Sequence, residues 1–131
     1  MNDTTWIVVA DGGRARFFEA AGLTFDLQEI EDLDNAGEHT SGLTEKDAEA
    51  LARDERAQKE REKFATRVAA YLEQGREHQR YARLVIAAES RFLGMVSDAL
   101  SEETRRLIFE RVSEDLSKFG KAEIQARFKK S

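Results

Sequence analysis

Cysteine and proline are both missing from this 131-residue chain. Without thiols there is no disulfide, no thiolate nucleophile and no zinc–thiolate site. Without proline no loop is stiffened by a fixed φ, so irregular stretches carry high unfolded-state entropy and are expected to be mobile. Histidine occurs twice, as His39 and His78, with no His-x-x-x-His spacing and no Ser/His/Asp order that suggests a triad. Long apolar runs are missing as well, and nothing approaches the roughly 20 apolar residues that a bilayer span needs. The start, Met1-Asn2-Asp3, is acidic and the first apolar run is too short for a signal-peptide core, so a cytoplasmic location is expected. A basic surplus is absent too. Twenty-one Lys and Arg face 26 Asp and Glu, a net charge of −5, so any phosphate contact has to come from a local patch.

What remains is a charge-rich but globular composition, 40% hydrophobic and 36% charged. It suits one domain over residues 1–131 with a real core. The pattern is organised around Trp6-Ile7-Val8-Val9-Ala10, a bulky run of strand length that predicts a strand buried on both faces. Asp11-Gly12-Gly13 is turn chemistry, with glycine expected to reach positive φ and Asp to cap its own backbone. Arg14–Glu19 restarts a strand covered on one face. After Ala20-Ala21-Gly22, the residues Leu23, Phe25 and Leu27 alternate with Thr24, Asp26 and Gln28 and predict a third strand. The alternation slips at Ile30 and Leu33, which places a bulge or strand end near Glu29.

The stretch 31–44 fits no period and reads as a mobile acidic loop carrying Gly37, His39 and Gly42. Thr44 can cap a long charged helix over about 45–79, with Glu45 and Asp47 placed for the helix dipole. Arg53–Lys63 is almost wholly polar, with Glu49–Arg53 and Glu55–Lys59 in favourable order, and should stand in solvent. Phe64, Val68, Tyr71 and Leu72 form a core-facing stripe, and Gly75 weakens the helix near its end. Leu84–Ala88 is the second apolar run, expected beside Trp6–Ala10. Ser90 then caps a helix to about Leu100, Ser101-Glu102-Glu103 opens a short helical turn, and Leu107–Val112 reads as a strand with helix as the alternative. Ser117–Phe128 closes as a helix. The order β-β-β-α-β-α-β-α predicts an α/β fold, one mixed β-sheet with helices packed on it.

Candidate sites divide between a structural and a functional reading. Asp11-Gly12-Gly13-Arg14 is a hairpin turn, and the same amides with an arginine form an anion cradle. It lacks the following helix of a nucleotide-binding fingerprint, so no cofactor is expected. Arg14, Arg16 and Arg91 pair with surface acids, or gather beyond the carboxyl ends of parallel central strands, where open α/β sheets bind ligands. His39 among Asp32, Asp34 and Glu38 is an exposed loop histidine, or a loose divalent-metal or protonation site. With Gly42 of the same loop, these make the candidate binding set, and no catalytic residue or metal is assigned. The sequence leaves the oligomeric state open.

The hairpin Trp6-Ile7-Val8-Val9-Ala10-Asp11-Gly12-Gly13-Arg14-Ala15-Arg16-Phe17-Phe18, the later Leu84–Ala88 and Arg91-Phe92-Leu93-Gly94, and Asp115-Leu116-Ser117 together resemble the bacterial host attachment protein family. That family is in turn distantly similar to the middle domain of the archaeal and eukaryotic peptide-chain release factor. The resemblance implies a release-factor-like fold and contact with the ribosome or structured RNA. In the release factor the loop before the long helix carries a Gly-Gly-Gln tip for peptidyl-tRNA hydrolysis. Here Asn35–Thr44 has neither an adjacent glycine pair nor a glutamine, and Glu89-Ser90 stands where the nearer family has prolines. The resemblance therefore implies a non-enzymatic role. The alternatives are a host-attachment factor acting indirectly from the cytoplasm, and a small phosphoester hydrolase using Asp11.

Overall fold

The computed structural model describes residues 3–34 and 50–129. The two apolar runs lie side by side in the middle of a five-stranded sheet of order β3-β2-β1-β4-β5. Strand β1 (Thr4–Asp11) runs parallel to β4 (Arg83–Ala88), from Trp6 opposite Leu84 to Ala10 opposite Ala88. Both runs are buried throughout, as continuous apolar strands must be when helices cover both faces. Strands β2 (Arg14–Ala21) and β3 (Gln28–Asp34) continue antiparallel on one side. Strand β5 (Ile108–Val112) lies parallel to β4 at the opposite edge.

Alternate residues of each strand point to opposite faces, and this divides the core in two. On one face Trp6, Val8, Phe17, Leu84 and Ile86 pack against Phe64, Val68 and Leu72 of α1 (Ala50–Glu77) and Phe92 and Val96 of α2 (Ser90–Ala99). A short α3 (Glu102–Arg105) leads from there to β5. On the other face Ile7, Val9, Phe18, Val85 and Ala87 meet Leu116 and, from α4 (Lys121–Lys129), Ile124 and Phe128. A nine-residue helix is not stable by itself. Two anchors, at roughly 1.5–3 kcal/mol each for full burial, hold α4 in place.

The observed elements differ from the sequence reading in several places. Leu23–Leu27 is not a strand: Gly22 and Phe25 both take positive φ, 56° and 54°, which breaks the alternation. Phe25 stacks on Phe128 at 5.3 Å and the Leu27 amide donates to Gln125 Oε1 at 2.7 Å. The segment thus packs under α4, and the third strand starts at Gln28. The register shift opposite Phe17 and Phe18 leaves Ile30 bulged between Glu29 and Glu31, next to the expected position. Residues 31–34 of the anticipated loop belong to β3. The rest of that loop, including His39 and Gly42, and the proposed helix start at Thr44–Asp47 lie outside the described residues. Glu89, not Ser90, caps α2. The last helix begins at Lys121, so Ser117–Gly120 is loop.

Gly75, two residues before the end of α1, also makes room for a neighbouring ring. A Cβ there would lie 2.6 Å from Cζ3 of Trp6. The absence of a side chain lets α1 close onto Trp6, whose ring stacks on Tyr71 at 5.5 Å and tilts against Tyr81 at 4.7 Å.

Candidate functional site at the carboxyl ends of the central strands

Strands β1 and β4 point the same way but leave the sheet in opposite directions, β1 turning back into β2 and β4 continuing through α2 toward β5. The gap between their carboxyl ends is a topological switch point, the place where open α/β sheets collect functional side chains. The hairpin turn lies there. Asp11 Oδ1 accepts from the amides of Gly13 at 2.7 Å and Arg14 at 2.9 Å, a self-capped turn. Gly12 is not in the left-handed region, contrary to the sequence expectation. Its missing side chain makes room for α1: a Cβ would sit 2.7 Å from Cδ of Arg61. The charged rod is therefore already against the sheet at Arg61.

The three candidate arginines take separate positions. Arg14 is exposed and forms a two-point pair with Asp32 of β3, Nε to Oδ1 at 3.1 Å and Nη2 to Oδ2 at 2.7 Å. This hydrogen-bonded pairing lowers the Asp32 pKa and raises that of Arg14. Arg16 is only 8% exposed. It donates to Glu29 through Nε and Nη2 at 3.2 and 3.3 Å, and through Nη1 to the carbonyls of Ser117 at 3.3 Å and Phe119 at 2.6 Å. Arg91 is exposed in the first turn of α2, on the other side of the sheet from α4. Its amide and that of Phe92 donate to the Glu89 carboxylate at 2.8 and 3.2 Å. Those two bonds, with Arg91 and Arg61 nearby, hold the Glu89 pKa below its ordinary value. The N-terminus of α2 is thus already supplied with an anion from its own chain.

Sequence reasoning placed Arg61 on a solvated helix, noted Glu89 only as a departure from the family's prolines, put Ser117 and Phe119 in the closing helix, and marked Asp115 through family resemblance alone. Ser117 Oγ lies 2.6 Å from Asp115 Oδ1 and 3.1 Å from Asp11 Oδ2. Both oxygens of Asp11 are therefore engaged, one in the turn and one on the loop before α4. The site is an anchored junction of turn, helix and loop, and this geometry does not present Asp11 as a free nucleophile or base. Spacing could not reveal it, because Asp11 and Ser117 meet across the whole length of the domain. Among the described residues no three His, Cys, Asp or Glu side chains converge to hold a metal ion, and no helix is long and apolar enough to cross a membrane. A separate open groove of about 640 Å³ runs between β3 and α1, floored by Leu33, Ala70 and Tyr71 and rimmed by Arg67, Glu73 and Glu77. Its rim carries both signs of charge, Arg67 against Glu73 and Glu77.

A mixed sheet with this strand order, a long helix crossing one face and an anchored hairpin at the switch point define a mixed-sheet α/β domain. The chain belongs to the family described as protein required for attachment to host cells, whose profile matches residues 6–128. Among solved structures it is similar to the archaeal translation termination factor aRF1, with a TM-score of 0.55 at 11% identity over 96% of this chain. It is also similar to a structure titled only as an archaeal protein, with a TM-score of 0.53 at 14% identity over 96% of this chain. It spans 38% and 34% of those two chains. At such identities the likeness is one of fold. No curated protein matches the chain.

Proposed function

We propose that this protein is a non-enzymatic, release-factor-like domain that associates with the ribosome or structured RNA in the cytoplasm. The observation that carries the reading is the shared fold with a translation termination factor over 96% of this chain. The absence of Gly-Gly-Gln from Asn35–Thr44 and the engagement of both Asp11 oxygens support binding without hydrolysis. Contact would come from a local patch, since the net charge is −5. Sedimentation of cell extract through a sucrose gradient tests it. At low salt, where phosphate contacts are strongest, the protein should travel with ribosomal particles and be released as salt rises. Protein confined to the ribosome-free fractions at low salt removes the proposal.

The family description motivates a second reading, attachment to a host, and we propose that in this reading the protein acts indirectly, from inside the cell. Protease treatment of intact cells separates this from a direct adhesin. An internal factor survives, whereas a surface protein is degraded.

A further inference from the structure

We propose that the edge strand β3, with the groove between it and α1, takes a basic extended peptide segment of a partner protein as an added strand. The inference stands apart from the RNA reading above. Among the described residues β3 ends the sheet and pairs with β2 alone. Its Asp32 amide donates to the carboxylate of the preceding residue, Glu31, at 3.0 Å. A side chain cannot reach an amide turned toward a neighbouring strand, so this one points off the sheet. An added strand would supply a carbonyl to it. The groove of about 640 Å³ runs along the same edge, with Leu33, Ala70 and Tyr71 as its floor. An edge open to main-chain bonds, with a groove beside it for side chains, is the geometry of peptide recognition by strand addition.

Charge selects the occupant. Four of the seven residues of β3 are acidic. Arg14 pairs with Asp32 and Arg16 with Glu29. In the groove Arg67 stands against Glu73 and Glu77, and Arg76 lies 3.5 and 3.9 Å from those two acids. Bonded acids keep their charge, so six carboxylates face four guanidinium groups on this surface. Glu19 and Arg80, which also act on Tyr71, cancel each other. The surplus is therefore negative. Glu31 is bonded to an amide and to no cation among the described residues. An incoming strand brings a carbonyl for the Asp32 amide and a lysine or arginine for the Glu31 carboxylate that it displaces. The methylene stem of such a side chain suits the floor of Leu33, Ala70 and Tyr71. RNA is repelled by the same surplus. A second copy is repelled as well, because two β3 strands paired with each other set acid beside acid.

Fluorescence anisotropy with the full chain tests the assignment, using a labelled peptide of alternating lysine and threonine as long as β3. Two analogues carry N-methyl groups, one on every lysine and the other on every threonine. Successive amides of a strand point to opposite edges, so only one analogue blocks the edge that meets β3. That analogue should bind roughly tenfold more weakly than the other. Glu31→Gln should weaken binding of the unmodified peptide about two- to fivefold. Ala70→Arg, which sets a like charge in the groove, should weaken it roughly tenfold. Neither position is buried, and circular dichroism should show both variants folded. Amide exchange at Asp32 should slow when the peptide is bound. Equal affinity of the two methylated analogues overturns strand addition. Equal binding of a glutamate–threonine peptide overturns the basic occupant, and no binding of the lysine peptide at low salt overturns the whole proposal. None of these results bears on sedimentation with ribosomes, so the two readings fail separately.

Discussion

Two glycines inside helices meet opposite surroundings, and the contrast can be measured. A Cβ at Gly75 would meet Trp6 Cζ3 at 2.6 Å and Tyr81 Cε2 at 3.1 Å, whereas one at Gly94 would meet nothing within 4 Å. Replacing either by alanine gains about 0.5–1 kcal/mol of backbone preference. At Gly94 that gain stands alone, so Gly94→Ala should stabilise the protein by that amount. At Gly75 overpacking of a rigid aromatic stack costs about 1–3 kcal/mol, and Gly75→Ala should destabilise. Urea unfolding followed by tryptophan fluorescence reads both changes, and equal shifts for the two variants would refute the packing argument. Nothing in the sequence separates these glycines, because both occur within helical patterns. Arg16 teaches the same lesson. Its position was legible, but the loop carbonyls it serves lie about a hundred residues away. Asp11 was legible as a turn cap from its Gly-Gly neighbours, since that bond is local.

Between elements, the junction of α1 with α3 turns on one carboxylate. Glu73 accepts from the Ser101 amide at 2.6 Å, the Ser101 hydroxyl at 3.1 Å and the Thr104 hydroxyl at 2.8 Å. Arg76 completes the network by donating to Thr104 Oγ1 at 2.8 Å. Burial pushes the Glu73 pKa up, but the hydrogen bonds from Ser101 and Thr104 and the charge of Arg76 outweigh it, and the net shift is downward from 4.5. The folded state therefore binds this proton less readily than the unfolded chain. The resulting stability is fully present above 4.5 and is lost as pH falls through the lowered folded value. Glu73→Gln should cost about 1–3 kcal/mol at pH 7 and show a shallower loss of stability below about pH 4.5. Denaturant midpoints measured across that range decide it, and parallel acid limbs would rule Glu73 out as a source of the pH dependence. The elements joined here were legible from Ser101-Glu102-Glu103. The third strand was not, because its end is set by two positive-φ residues and by packing under α4, neither of which leaves a mark in the alternation.

For the whole molecule, the legible part was the pairing of the two apolar runs, because continuous burial demands a central place in the sheet. The same pairing governs cooperativity. Strands β1 and β4 are parallel neighbours separated in sequence by the hairpin, β3 and all of α1. A parallel pair cannot close without its crossover, so opening Ile7–Val9 or Val85–Ala87 means releasing α1 as well. Strand β5 pairs on one side alone, and Phe109, Glu110 and Arg111 along it are exposed. Amide hydrogen exchange should therefore show Ile7–Val9 and Val85–Ala87 opening with one shared free energy equal to that of global unfolding, and β5 opening at a lower one. Ile124→Ala discriminates further. Ile124 is fully buried against the far face of the central strands, so its truncation should lower the shared value by about 2–5 kcal/mol. The local opening of β5 should change less, because β5 sets only the partly buried Val112 against that face and Ile108 against the opposite one. Distinct exchange free energies for β1 and β4, or an equal fall at β5, would mean that the sheet does not unfold from its centre as one unit.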